Sequence, residues 1–164
     1  MKTLLLLRHA KSSWKNPDLP DFERPLNGRG KKAAPLVGRY LRSQKIKLDL
    51  ILCSPAERAR QTVALVSEAA NFLGDLRYDE RIYEATAGTL LEVISQTEDD
   101  VGVLLLVGHN PGLEELLVRL TGEARRMPTA ALAAITIETV RWSKVTEPKG
   151  QLKWLVNPKE LSGV

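Results

Sequence analysis

Apolar residues in this chain fall in short blocks, and the spacing inside the blocks changes along the sequence. Thr3–Leu7 and Val103–Val107 are unbroken apolar runs of strand length, and Leu50–Cys53 is a shorter one. Such runs suit strands covered on both faces. Leu132–Ile137 and Leu152–Val156 are expected as further strands, and Leu76–Tyr78 as a short one. Between these blocks the period lengthens. Gly28–Ser43 carries Leu36, Val37, Tyr40 and Leu41 as one apolar stripe, with Asn27 placed to cap the helix start. Ser54-Pro55-Ala56-Glu57 has the form of a capping box with proline at the first helical position. It predicts a helix running to about Phe72 and ended by Gly74. Thr89–Ser95 falls in a third helix. Asn110-Pro111 opens a fourth, through Leu120. Asn16–Glu23, with two prolines and three acids, is a loop. Strands alternating with helices predict an α/β fold with a largely parallel sheet, in one domain over residues 1–164.

Composition narrows the class without naming a function. With 43% apolar and 27% charged residues, the 164-residue chain has the profile of a soluble globular protein. No stretch approaches the roughly 20 apolar residues that span a bilayer, so no membrane association is expected. The opening Met-Lys-Thr and four leucines look like a signal peptide. The apolar core is too short, however, and Arg8-His9-Ala10-Lys11 stands where a cleavage site of small residues belongs. A single cysteine, Cys53, excludes an intramolecular disulfide and a cysteine-built metal site, which fits a reducing compartment, the cytoplasm. The net charge of +4 and pI near 9.3 raise the question of nucleic acid. The cations are spread along the chain among 20 acids, with no basic run interleaved with aromatics, so nucleic acid is not expected as a partner.

The two histidines change the picture. Arg8-His9 follows the first apolar run directly, and His109 lies just past Val103–Val107. Ligands of open α/β sheets bind beyond the carboxyl ends of the strands. If the two strands are parallel neighbours, both imidazoles reach one crevice. Arg58 projects from the first turns of the helix after Leu50–Cys53, where a helix N-terminus already favours anions. Arg60, two residues on, is expected to be solvated. Two arginines and two histidines around one crevice suit a phosphoryl group. A neutral imidazole is a competent nucleophile toward phosphorus, and guanidinium groups hold the charged oxygens. Fixed guanidiniums would stand in for Mg²⁺, and the chain has no phosphate-binding glycine loop of the nucleotide-hydrolase type. A metal is therefore not expected. A binding module that keeps the arginines as an anion clamp without turnover is the alternative of another class.

Three separated motifs carry a family resemblance: L-L-R-H at the N-terminus, S-P-x-x-R-A-R-Q-T about 45 residues later, and V-G-H-N-P in the second half. Together they resemble the histidine phosphatase superfamily. RHAKSSW, and DFERPLNGRG after a short loop, are similar to the phosphohistidine phosphatases of its SixA branch. The resemblance implies a mostly parallel sheet with helices on both faces and no cofactor. It implies that His9 is the nucleophile, with Arg8, Arg58 and His109 around the phosphate, and that Glu84 in RIYEATAG is the proton donor. Ala10 replaces the superfamily's usual glycine. Lys11 and Lys15 stand about where the mutase branch has a glutamate and an asparagine, which argues against a mutase. Ser12 is a candidate phosphate ligand or a loop-turn residue, and Trp14 a candidate for the pocket mouth or for packing. The chain has little room for the insertion that covers the pocket in many relatives. The expected substrate is therefore phosphohistidine on a protein, with a small phosphomonoester as the close alternative. A monomer is compatible with the sequence.

Overall fold

The structure is a computed structural model, and it describes residues 1–146 and 150–161. The domain expected over residues 1–164 thus extends over two short segments that lie outside the described residues. Six strands form one sheet in the order β3-β2-β4-β1-β5-β6. They are β1 (Lys2–Arg8), β2 (Leu50–Cys53), β3 (Asp75–Tyr78), β4 (Val103–Gly108), β5 (Leu132–Ile137) and β6 (Gly150–Val156). The pairs β3–β2, β2–β4 and β4–β1 are parallel, whereas β5 runs against both β1 and β6. The sheet is therefore mostly parallel, with one strand reversed.

The leucine run of β1 explains why the sheet is covered twice. Side chains alternate between faces along a strand. Leu4 and Leu6 enter one core, packed with Leu90, Ile94, Leu113 and Leu116. Leu5 and Leu7 enter the other, packed with Val37, Leu41, Val63 and Val66. All four leucines are fully buried, each worth roughly 1.5–3 kcal/mol of apolar transfer. Helices α1 (Gly28–Ser43) and α2 (Glu57–Ala70) cover the second face, and α3 (Ala87–Ser95) and α4 (Gly112–Thr121) the first. A short α5 (Pro158–Leu161) follows β6 and packs on α1.

Two helix starts differ from expectation. Asn27 caps α1 as predicted, its side-chain oxygen accepting from the Gly30 N–H at 2.8 Å. Ser54 does not cap α2. That helix begins at Glu57 with Ala56 as N-cap, and the Ser54 hydroxyl instead accepts from the Ala56 N–H at 3.2 Å. Likewise Asn110 is not the cap of α4. Pro111 holds that position after a cis Asn110–Pro111 bond, and the Asn110 side chain turns to Glu114 and Met127. At its other end α2 stops at Ala70, where Asn71 takes the left-handed conformation (φ 56°) and closes the helix before Phe72 and Gly74.

Candidate active site

The carboxyl ends of β1 and β4 lie side by side, with Arg8 opposite Gly108 in the register. One residue further, His9 and His109 meet with ring centroids 5.0 Å apart. His9 is 6% exposed and Arg58 8% exposed, so the crevice holds a cation and an imidazole largely out of water. Burial, helped by Arg58 and Arg8, pulls His9 down to about 4, against the opposing pull of its bond to Ala10. Burial and His9 itself pull His109 down to about 3. Both rings are neutral near pH 7.

Hydrogen bonds settle how the His9 ring is used. Nδ1 lies 2.7 Å from the Ala10 carbonyl oxygen, which can only accept, so Nδ1 carries the proton. Nε2 therefore keeps its lone pair, and the Arg58 Nε–H donates toward it at 3.4 Å. His109 Nε2 pairs with the Ser54 hydroxyl at 2.7 Å, while its Nδ1 is buried without a protein partner. The Arg8 Nε–H is a buried donor without a partner among the described residues. Buried donors of this kind are costly unless a ligand meets them.

The surrounding motif residues fix these groups from behind. Thr62, fully buried in α2, accepts from the Ala10 N–H at 2.9 Å and donates to the Arg58 carbonyl at 2.7 Å. It thereby ties the residue after His9 to the helix that carries Arg58. Gln61 accepts from the Leu26 N–H at 2.8 Å. Gly30 packs so closely on the Lys11 carbonyl that a Cβ there would collide with it. Arg8 is anchored through its Nη1 to the Met127 carbonyl at 3.2 Å. Met127 is in turn held by Glu114, whose Oε2 accepts from the Met127 N–H at 2.7 Å and from Asn110 Nδ2 at 2.9 Å.

Asp21 and Tyr83 also belong to the site, although neither was singled out within the DFERPLNGRG and RIYEATAG stretches that contain them. Arg58 Nη1 donates to the Asp21 backbone oxygen at 2.7 Å and Nη2 to its carboxylate at 3.0 Å. The Tyr83 hydroxyl donates to the same carboxylate at 2.6 Å, and its ring stands edge-on to His109. These contacts hold the Asp21 carboxyl below the usual carboxylate range, the Tyr83 bond foremost. Asp21 sits in a turn of the predicted loop, which Arg24 braces by donating to the Asn16 and Pro17 carbonyls. Trp14, 68% exposed, stacks on the Arg24 guanidinium, so its observed contact is packing.

The structure thus brings Arg8, His9, Arg58 and His109 together. It does not join the two remaining candidates to them. Ser12 pairs through its backbone with Leu26, and its side chain makes no hydrogen bond to the four. Glu84 is exposed, in a left-handed conformation (φ 53°), and makes no hydrogen bond to the four. Arg60 is exposed as expected, its Nε on the Pro55 carbonyl and its guanidinium over the Tyr78 ring.

A paired imidazole and guanidinium set at the strand ends of such a sheet has the charge and hydrogen-bonding groups to hold a phosphoryl group. Comparison with known proteins agrees. Residues 4–101 match the model of the histidine phosphatase superfamily (branch 1), and the chain belongs to that superfamily. An uncharacterized protein of Mycobacterium tuberculosis is 38% identical over 143 residues, 80% of this chain and 87% of that one. The phosphohistidine phosphatase SixA of Escherichia coli is 26% identical over 145 residues, 86% of each chain. A solved structure from Agrobacterium tumefaciens, assigned as a phosphohistidine phosphatase SixA, superposes with a TM-score of 0.82 at 33% identity, covering 96% of this chain and 98% of that one. No helix among the described residues is long and apolar enough to cross a membrane.

Proposed function

We propose that this phosphatase works through a covalent phosphohistidine at His9 and takes its phosphate from phosphohistidine on a protein. The observation that carries the mechanism is the His9 ring itself: neutral, with Nδ1–H tied to the Ala10 carbonyl and the Nε2 lone pair facing Arg58. Nε2 attacks phosphorus and forms the N–P bond. The bond to the leaving group breaks, and that group departs with the electron pair and takes up a proton. Water then attacks phosphorus, the N–P bond breaks back to neutral His9, and the water gives up a proton equal to the one consumed. Arg8 and Arg58 hold the oxygens, and the buried Arg8 Nε–H is free to meet one of them. His109, braced by Ser54, donates to another. An imidazole leaves more readily than an alkoxide, so a phosphohistidine substrate makes little demand on Glu84.

The substrate class follows from access. Only residues 79–86 connect β3 to α3, and they form a tight 3-10 turn and a short link rather than a covering insertion. Without such an insertion, the strand-end crevice can receive a phosphate presented on a macromolecular surface. The test is a panel of phosphohistidine peptide, phosphoserine, sugar phosphates and an aryl phosphate, run with wild type and His9→Ala. The expected result is highest kcat/KM on phosphohistidine, an acid-labile phosphoenzyme, and loss of both in His9→Ala. Preference for sugar phosphates would transfer the assignment to small phosphomonoesters. Phosphate binding without any turnover would reduce the domain to a binding module. Substantial turnover by His9→Ala would refute the covalent route.

A further inference from the structure

A second concave surface lies beside the imidazoles rather than over them. This cavity, about 530 Å³, is walled on one side by Arg29, Lys32, Ala33 and Leu36 of α1. Those four positions are spaced i, i+3, i+4 and i+7, a single helix face roughly 10 Å long. The opposite wall is Asn157–Lys159 at the start of α5, and Lys11 and Pro128-Thr129 complete the lining. Among the described residues no carboxylate lines it. Lys11, Arg29 and Lys32 are exposed and enter none of the ion pairs among the described residues. The floor is apolar, from Ala33, Leu36 and Pro128.

Two of the segments that line this cavity adjoin the candidate active site along the chain. Lys11 follows His9 by two residues, so their Cα atoms lie within about 7.6 Å. Ala130, next to Thr129, donates its N–H to the carbonyls of both Arg8 and His9. The end of β6, the start of β5 and the end of β1 all meet at this edge of the sheet.

We propose that the cavity docks an acidic segment of the protein that presents the phosphorylated side chain. Carboxylates of that segment pair with Lys11, Arg29 and Lys32, and an apolar residue between them rests against Leu36. About three or four residues of extended chain span the α1 face. Charge complementarity and an apolar floor together select a peptide of alternating acidic and apolar residues over a bare anion. The inference rests on a protein substrate for the phosphatase and adds what that protein must carry beside its phosphate.

The test uses a labelled peptide of alternating Glu and Leu, its Lys-for-Glu counterpart, duplex DNA and anionic vesicles, with binding followed by fluorescence anisotropy or co-sedimentation. Arg29→Glu/Lys32→Glu is compared with wild type, and the milder Arg29→Gln/Lys32→Gln is made alongside. The acidic peptide is expected to bind wild type, to weaken as salt rises, and to lose at least tenfold in affinity in the charge-reversed variant. The glutamine variant falls between, and aryl phosphate hydrolysis stays within twofold of wild type in both. Unchanged peptide affinity in the variants overturns the proposal, as does preference for the Lys peptide, for DNA or for vesicles. The two assignments fail separately. Wild type that binds the acidic peptide but leaves phosphohistidine intact upholds the cavity and sinks the substrate assignment. Wild type that dephosphorylates neutral and acidic phosphohistidine peptides equally, with no effect of Arg29 or Lys32, does the reverse.

Discussion

Lowering the pH from 7 to 5 is expected to destabilise the fold by about 2 kcal/mol through His9 alone. Burial holds His9 at about 4 in the folded protein, against 6.5 for a solvated imidazole. Between those values the unfolded chain binds a proton that the native state refuses. Stability therefore rises with pH across this window. It is fully present above 6.5 and is lost as the pH falls toward 4. At about 1.36 kcal/mol per unit, the 1.5 units from 6.5 down to 5 give that figure. His109, held at about 3 chiefly by burial and by His9, acts in the same direction. Asp21, Asp79 and Glu98 are shifted down as well, but their contributions are lost mainly below the ordinary carboxylate range, so the window above pH 5 isolates the imidazoles. Urea unfolding at pH 7 and 5 measures the difference, and His9→Gln should remove most of the His9 share of the slope. Proton NMR of the His9 ring checks the cause, with no titration expected above pH 5. A His9 midpoint near 6.5, or an unfolding midpoint unchanged between the two pH values, would refute the account of a desolvated nucleophile.

Three substitutions probe the frame around that ring. Arg58→Ala should weaken inhibition by vanadate at least tenfold while Arg60→Ala changes it less than twofold; equal effects would place the anion elsewhere. Thr62→Val leaves the buried Ala10 N–H without an acceptor, a loss of roughly 1–3 kcal/mol that lowers the thermal midpoint by several degrees, and Thr62→Ser should restore most of it. Glu114→Ala frees the Met127 segment on which Arg8 rests, so KM for aryl phosphate should rise more than kcat falls, with Glu114→Gln recovering part of the loss. A uniform loss of folded protein, with kinetics of the remainder unchanged, would make Glu114 structural only.

Residues near a strand end were legible in the sequence because their position follows from one local pattern. An apolar run places its successor at the sheet edge, and β1 and β4 needed only to be neighbours for His9 and His109 to meet. Ser54 was misread for an equally local reason. Ser-Pro-x-Glu satisfies the capping rule on paper, but the hydroxyl accepts from the N–H two residues on, a serine turn, and so remains able to pair with His109. Asp21 and Tyr83 stand within DFERPLNGRG and RIYEATAG, but nothing local in either stretch assigns them to the site. Asp21 reaches Arg58 across 37 positions and Tyr83 reaches Asp21 across 62, from a loop and a turn without periodicity. The basic face of α1 was visible as composition only, since its exposure and its acid-free lining depend on where β6 delivers Asn157–Lys159.

The same charges that disarm His9 as a base suit it to the nucleophilic role proposed for it. Burial and two guanidiniums make the imidazolium unfavourable, so the lone pair stays available far below neutral pH. An arriving phosphate reverses that field, because its negative oxygens neutralise Arg8 and Arg58 at close range. In the proposed route, once the N–P bond forms, the His9 ring bears positive charge beside a phosphoryl group and is no longer opposed by uncompensated cations. The electrostatics thus disfavour a proton on Nε2 and favour phosphorus there, a preference for the phosphorylated state built in before substrate binds. Asp21 sets the limit on this effect. By taking one N–H from each Arg58 Nη group it leaves one on each for substrate, and it keeps Nε–H directed at Nε2, where the phosphoryl oxygens will lie.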